Sequence, residues 1–187
     1  MDTSRAGRLG LTAFLAFYGL RLLLHPEAGS LMDSVDLPIH ETGHLVFAPF
    51  GEFMQFLGGT LFQLIMPAAF VVYFARRRDL HAASVALWWV GQNFWNISVY
   101  AADARTENLP LVGGGEHDWA FLLTRLGWLK FDHVIARDAW FLGVLAYVVA
   151  IVGGLLVLNR RATGTTTTRT FELSSRAELS SRAKRGI

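Results

Sequence analysis

The sequence predicts an all-α integral membrane protein with about four transmembrane helices, a short H-E-x-x-H helix and an interfacial helix. Three observations carry that expectation. Hydrophobic residues make up 52% of the 187 residues, and fourteen Phe and six Trp are among them, more apolar surface than one small soluble core hides. Four apolar runs lie at residues 9–24, 53–74, 80–102 and 139–158, close to the roughly 20 residues that a bilayer crossing needs. Arginines flank these runs in a pattern that orients them.

The first run is slightly short, and Arg21 would snorkel from its end. Its basic start, Arg5 and Arg8, resembles a secretory leader, but the stretch His25-Pro26-Glu27-Ala28-Gly29-Ser30 offers no small-x-small cleavage site, so a retained anchor is expected. Arg76, Arg77 and Arg78 join the second run to the third, and Arg160 and Arg161 follow the fourth. If each run crosses once, all the clusters fall on one side, which the positive-inside rule makes cytoplasmic. The expected location is a bacterial-type plasma membrane with both termini cytoplasmic. The connections 26–52 and 103–138 then face outward, and the chemistry-bearing residues concentrate there. Tryptophans near the ends of the runs fit an aromatic belt, and His81, just after the arginines, fits an interfacial position.

Residues 1–161 form the expected transmembrane helical domain carrying the metal site. Residues 162–187 read as a disordered, low-complexity cytoplasmic tail. They hold four consecutive threonines, a six-residue repeat beginning at Glu172 and Glu178, and a basic end suited to anionic lipid.

His40-Glu41-Thr42-Gly43-His44 is an H-E-x-x-H sequence. On a helix, two histidines four apart project from one face and can share one zinc ion, while Glu41 stays off the metal as a general base toward water. Asp36 suits an N-cap, Pro38 a first turn, and Pro49 with Gly51 an end. The chain has no cysteine, so a metal must be held by imidazole and carboxylate; these suit zinc best.

A zinc hydrolase needs a third protein ligand and an open position, and the sequence offers two candidates. Asn93, Asn96, Tyr100 and Asp103 follow spacings of three, four and three, one polar face on a membrane helix, with Asp103 at its outer end. The three glycines before Glu116-His117-Asp118-Trp119 let the chain approach a site closely. There His117 is the second candidate ligand, with Glu116 or Asp118 fixing its tautomer; Asp118 also suits the cap of the interfacial stretch 119–129. His25 and His133 have no ligand spacing to anything. Gln55, Gly59 and Gln63 share a face of the second run, where helix packing accounts for them.

The H-E-x-x-H in an apolar setting, followed by a later run with Asn96 and then Asp103, resembles the site-2 protease group of intramembrane metalloproteases, and zincins more broadly. The resemblance implies His40, His44 and Asp103 as zinc ligands and Glu41 as general base. It departs from the group at Ile97, where proline is usual, and at Ala104, where glycine is usual. The group's site also usually opens toward the cytoplasm. The expected function is a membrane-embedded, zinc-dependent hydrolase cleaving a membrane or membrane-proximal peptide, with Asn93, Asn96 or Tyr100 positioning substrate. A lipid amide or ester would suit the same machinery. The competing class is a non-enzymatic protein with a structural metal or an ion-binding polar cavity. No nucleic-acid partner is expected, since the basic residues sit at span ends and in the tail.

Overall fold

The computed structural model describes residues 3–110 and 115–185, with side chains described for 4–110 and 115–159. Its regular structure among these residues is entirely helical: α1 Thr3–Leu24, α2 Asp33–Phe47, α3 Glu52–Arg76, α4 Leu80–Ala102, α5 Asp118–Arg125 and α6 Asp132–Arg185.

Three helices are long and apolar enough to cross a membrane: Ser4–Leu24, Glu52–Arg76 and Leu129–Asn159. The first exceeds its apolar run because the helix begins at Thr3, before the run does. The fourth expected crossing, α4, is 23 residues long but is not among them. Gln92, Asn93, Asn96 and His81 lower its hydropathy, and α4 tolerates them because it lies inside the bundle, packed on α1, α3 and α6. Gln92, Asn93 and His81 are all buried.

Glycines set the closeness of this packing. Gly91 faces the Gly143 carbonyl, and a Cβ at Gly143 would meet the Trp95 indole at 2.5 Å. At Gly19 a Cβ would meet the Tyr147 ring, also at 2.5 Å. Trp88 donates to the Leu15 carbonyl at 2.9 Å. Trp88 and Trp95 are therefore core residues rather than belt residues: the notches left by small residues admit their indoles. His81 is buried, with a ring nitrogen 3.0 Å from Thr12 Oγ1. Gly143→Ala is expected to cost about 1–3 kcal/mol through overpacking, read as a lower Tm in detergent, whereas Gly153→Ala, with open space at its Cβ, is expected to leave Tm unchanged.

One end of the bundle is basic. Arg8 pairs with Asp79 at 3.3 Å, tying the start of α1 to the turn between α3 and α4. Gly154 packs on Ser84, so α6 leaves the bundle at this same end. The α6 backbone continues as helix to Arg185, through the segment that composition reads as a disordered tail. Its repeat is rich in Glu, Leu, Arg and Ala, all strong helix formers.

Between α1 and α3 the chain turns back into the bundle. The Tyr18 hydroxyl lies 3.1 Å from Ser30 Oγ and accepts from the Leu31 N–H at 2.8 Å, drawing the connection down along α1. The Ser30 N–H donates to Asp33 Oδ2 at 2.7 Å, tying the connection to the first residue of α2, three residues before Asp36. Asp36 lies inside the helix and is buried, accepting from Trp89 Nε1 at 2.7 Å on the middle of α4. Thus α2 starts at mid-bundle and runs outward, antiparallel to α3. Pro38 falls inside this helix.

Candidate metal centre

The backbones of α2 and α3 touch. A Cβ on Gly43 would collide with the Gly58 carbonyl, and one on Gly59 would meet His40 Nε2 at 2.5 Å. Glycine at these positions lets α2 lie directly on α3 and gives the His40 ring its space.

His40 and His44 come together with Asp118, whose backbone belongs to the start of α5. One donor atom from each of the three lies within 4.8 Å of the others. Asp118 Oδ2 stands 2.8 Å from His40 Nε2 and 3.4 Å from His44 Nε2. Four ligands about 2.0–2.1 Å from a tetrahedral zinc ion stand about 3.3 Å apart, so only small side-chain shifts would be needed for these three residues to hold one.

The far side of each imidazole supports the same fit. His40 Nδ1 is 3.0 Å from Gln63 Oε1, and His44 Nδ1 is 2.8 Å from the Gln55 carbonyl oxygen. Both partners are acceptors, so each Nδ1 carries the proton and donates. With an ion bound, that arrangement would leave each Nε2 to give its lone pair to the common centre, the orientation found where histidine binds metal. Gln63 is held in turn, donating to Asn96 Oδ1 at 3.0 Å, and Asn96 Nδ2 donates to Asp33 Oδ1 at 3.2 Å.

Without an ion, the Asp118 carboxylate favours a proton on His44. The Asp118 carboxylate raises His44 to about 9, against the opposing effect of burial and with help from the Gln55 carbonyl. Burial acts to raise Asp118 itself, but the bonds from His40 and His44 outweigh it and hold the carboxyl below its ordinary value. A raised histidine pKa stabilises the fold most below the unfolded value of 6.5, and that stabilisation is lost as pH rises through about 9. Metal-free protein is therefore expected to lose Tm between pH 7 and pH 10, and Asp118→Asn is expected to flatten that slope.

The remaining expected site residues are placed as follows. Asp103 turns toward its own connection: it accepts from Thr106 Oγ1 at 2.6 Å and from the Asn108 and Leu109 N–H groups, each at 2.9 Å. Burial would raise its carboxyl, but these bonds prevail and lower it. His117 is fully buried, and its Nδ1 accepts from the Ala120 N–H, so it is the N-cap of α5. Its Nε2 lies 3.5 Å from Asp103 Oδ2. Neither Asp103 nor His117 belongs to the His40–His44–Asp118 group. The helix cap falls on His117 and leaves Asp118 free to reach the histidines.

Tyr100 stands between the two clusters, its ring centroid 4.2 Å from His117 and 6.2 Å from His40. Its hydroxyl accepts from the Asp118 N–H at 3.3 Å. A cavity of about 710 Å³ opens at this centre, and Glu41, Gln63, Asn96 and Tyr100 line it with His40, His44 and Asp118. Asn93 lies behind the wall, donating to Asp36 Oδ1 at 3.3 Å.

Comparison with family models, with curated proteins and with solved structures finds no match for this chain. The case for the centre therefore rests on its own geometry. The residue that sequence reasoning placed differently is Asp118. It was legible as a cap or an outer partner, and no spacing rule brings it to His40, 78 positions away. The interfacial helix is also shorter than its apolar stretch, ending at Arg125 ahead of Gly127, whose φ is +68°.

Proposed function

We propose that the chain is a membrane-embedded, zinc-dependent hydrolase whose substrate is a membrane or membrane-proximal peptide. The observation that carries this reading is the paired orientation of His40 and His44: Nδ1 of each is tied to an acceptor and Nε2 of each is aimed at Asp118 Oδ2. Three protein donors leave a fourth position for water, as catalytic zinc sites do and closed structural sites do not. When bound, zinc supplies Lewis acidity, acidifying water and polarising a carbonyl.

The residues of the chain supply the rest. Glu41 lines the cavity, is exposed, and lies outside the ligand group, so its carboxylate takes the proton from the attacking water and returns it to the leaving nitrogen. The Tyr100 hydroxyl accepts from Asp118 and retains its own proton for a developing oxyanion. Gln63 and Asn96 hold the His40 ring in place. The similarity to the site-2 protease group supports peptide-bond chemistry, with Asp118 in the ligand position that the group gives to the later aspartate.

In this reading α4 crosses the bilayer as a fourth span, because it returns antiparallel between α3 and α6 and its 23 residues extend about 34 Å at 1.5 Å per residue. The basic end faces the cytoplasm, and the metal centre opens on the other side. The test is elemental mass spectrometry on detergent-purified protein and on His44→Ala, followed by cleavage of quenched fluorescent peptides in nanodiscs. One zinc per chain, lost in the variant, with cleavage abolished by chelator and restored by zinc, is expected. Failure to take up zinc would overturn the reading, as would cleavage indifferent to chelation.

A further inference from the structure

The hydrogen-bond relay behind His40 has a direction. His40 Nδ1 meets Gln63 Oε1 at 3.0 Å, Gln63 Nε2 meets Asn96 Oδ1 at 3.0 Å, and Asn96 Nδ2 meets Asp33 Oδ1 at 3.2 Å. The two middle members are amides, each with a donor on one side and an acceptor on the other. Turned over together, they would bond equally well in the opposite sense, and His40 Nδ1 would then accept. Gln63 and Asn96 hold the ring in place, but neither decides which of its nitrogens carries the proton.

The far end decides it. Asp33 Oδ2 accepts from the Ser30 N–H at 2.7 Å, and Oδ1 accepts from Asn96 Nδ2 and from Gln92 Nε2, the latter at 3.3 Å. Three donors converge on a carboxylate, a group that accepts and cannot donate. Asn96 must therefore offer its nitrogen to Asp33 and its oxygen to Gln63. Gln63 must then offer its nitrogen to Asn96 and its oxygen to His40. Asp33 and His40 lie seven residues apart on α2, about 10 Å along its axis, so the influence travels sideways through α4 and α3.

We propose that Asp33 is a positioning residue of the metal centre: through Asn96 and Gln63 it keeps the His40 proton on Nδ1 and reserves Nε2 for an ion. The benefit to an ion rests on the zinc reading; the fixed tautomer does not. Asp33→Asn exposes the role because it is isosteric. The Ser30 N–H still requires an oxygen opposite it, so the new amide nitrogen takes the place of Oδ1 and donates to Asn96 and Gln92. Asn96 and Gln63 turn over, Gln63 Nε2 donates to His40 Nδ1, and the single proton of the neutral ring moves to Nε2, where it opposes metal binding.

The experiment is nitrogen NMR of histidine-labelled, full-length protein in nanodiscs, with His40 assigned by its loss in His40→Gln, beside zinc titration against a competing chelator. Zinc-free spectra are taken near pH 10, where each neutral imidazole holds one proton. His40 of the wild type is expected to carry it on Nδ1. In Asp33→Asn the proton is expected on Nε2, with zinc bound about 10- to 100-fold more weakly, the range for an outer-shell partner. On a Gln63→Glu background, Asp33→Asn is expected to change neither quantity, because a carboxylate at position 63 accepts from His40 by itself. If Asp33→Asn does not fold, Asn96→Leu cuts the same relay and is expected to mix the two tautomers. A wild-type proton on Nε2 overturns the proposal. So does a proton that stays on Nδ1 in Asp33→Asn or wholly on Nδ1 in Asn96→Leu, either of which reduces Asp33 to a tie for Ser30. A tautomer set by Asp33 in a protein that takes up no zinc would sustain that role and sink the hydrolase reading; zinc uptake and hydrolysis indifferent to Asp33→Asn would do the reverse.

Discussion

Glu41→Gln is expected to leave zinc binding intact and to lower kcat by about 10²–10⁴-fold, the range that a positioned general base contributes. The expectation follows from where Glu41 stands. It lies next to His40 in sequence and in the cavity wall, yet His40, His44 and Asp118 form the candidate ligand group without it. Glutamine keeps the size and the hydrogen-bonding capacity but cannot accept a proton at neutral pH. Zinc per chain and peptide turnover should therefore separate in this variant: one unchanged, the other nearly lost. Retained turnover would remove Glu41 from the mechanism. Loss of zinc together with turnover would make it a ligand, and the centre would then be closed.

The second large effect concerns the third ligand, where two aspartates make opposite predictions. Asp118→Ala is expected to weaken zinc binding by more than about 100-fold, beyond the 10- to 100-fold typical of an outer-shell partner, because its Oδ2 is the atom on which both imidazoles converge. Asp103→Ala is expected to keep zinc but lose stability. Its carboxylate satisfies Thr106, Asn108 and Leu109, and removing it strands two backbone donors. Zinc titration against a competing chelator, alongside a thermal melt, reads both quantities. Zinc lost with Asp103→Ala and kept with Asp118→Ala would reverse the assignment and restore the ligand set that the site-2 protease resemblance implies.

The helices were legible because run length and flanking charge are local properties. The first and third long apolar helices end near the expected positions, and the polar stripe Asn93, Asn96, Tyr100 marked an inward face of α4. Asn93 and Asn96 do bond to aspartates on α2 and Tyr100 to the Asp118 backbone. What was not legible depended on contacts between distant segments. Asp36 has the composition of a cap and Asp118 likewise, but Asp36 lies inside α2, whose first residue Asp33 accepts from the Ser30 N–H, and the cap of α5 is His117, bonded to Ala120. Adjacent residues that can each cap leave the choice to tertiary packing. The α2 helix shows the same limit: nothing in 15 residues of amphipathic helix says that it turns back between the long helices. The Gly43–Gly58 contact that permits it pairs two glycines from separate segments.

The third donor arrives on α5, a helix of eight residues whose footing on α3 includes Phe121 stacked on Phe56 and an exposed Arg125–Glu52 pair. An ion shared by α2 and α5 would act as a clasp between the first and second halves of the chain. Its binding energy would then be spent partly on shutting the outer cap, so occupancy and closure become one equilibrium. On the zinc reading, metal-free protein would keep the long helices assembled while the cap stands ajar.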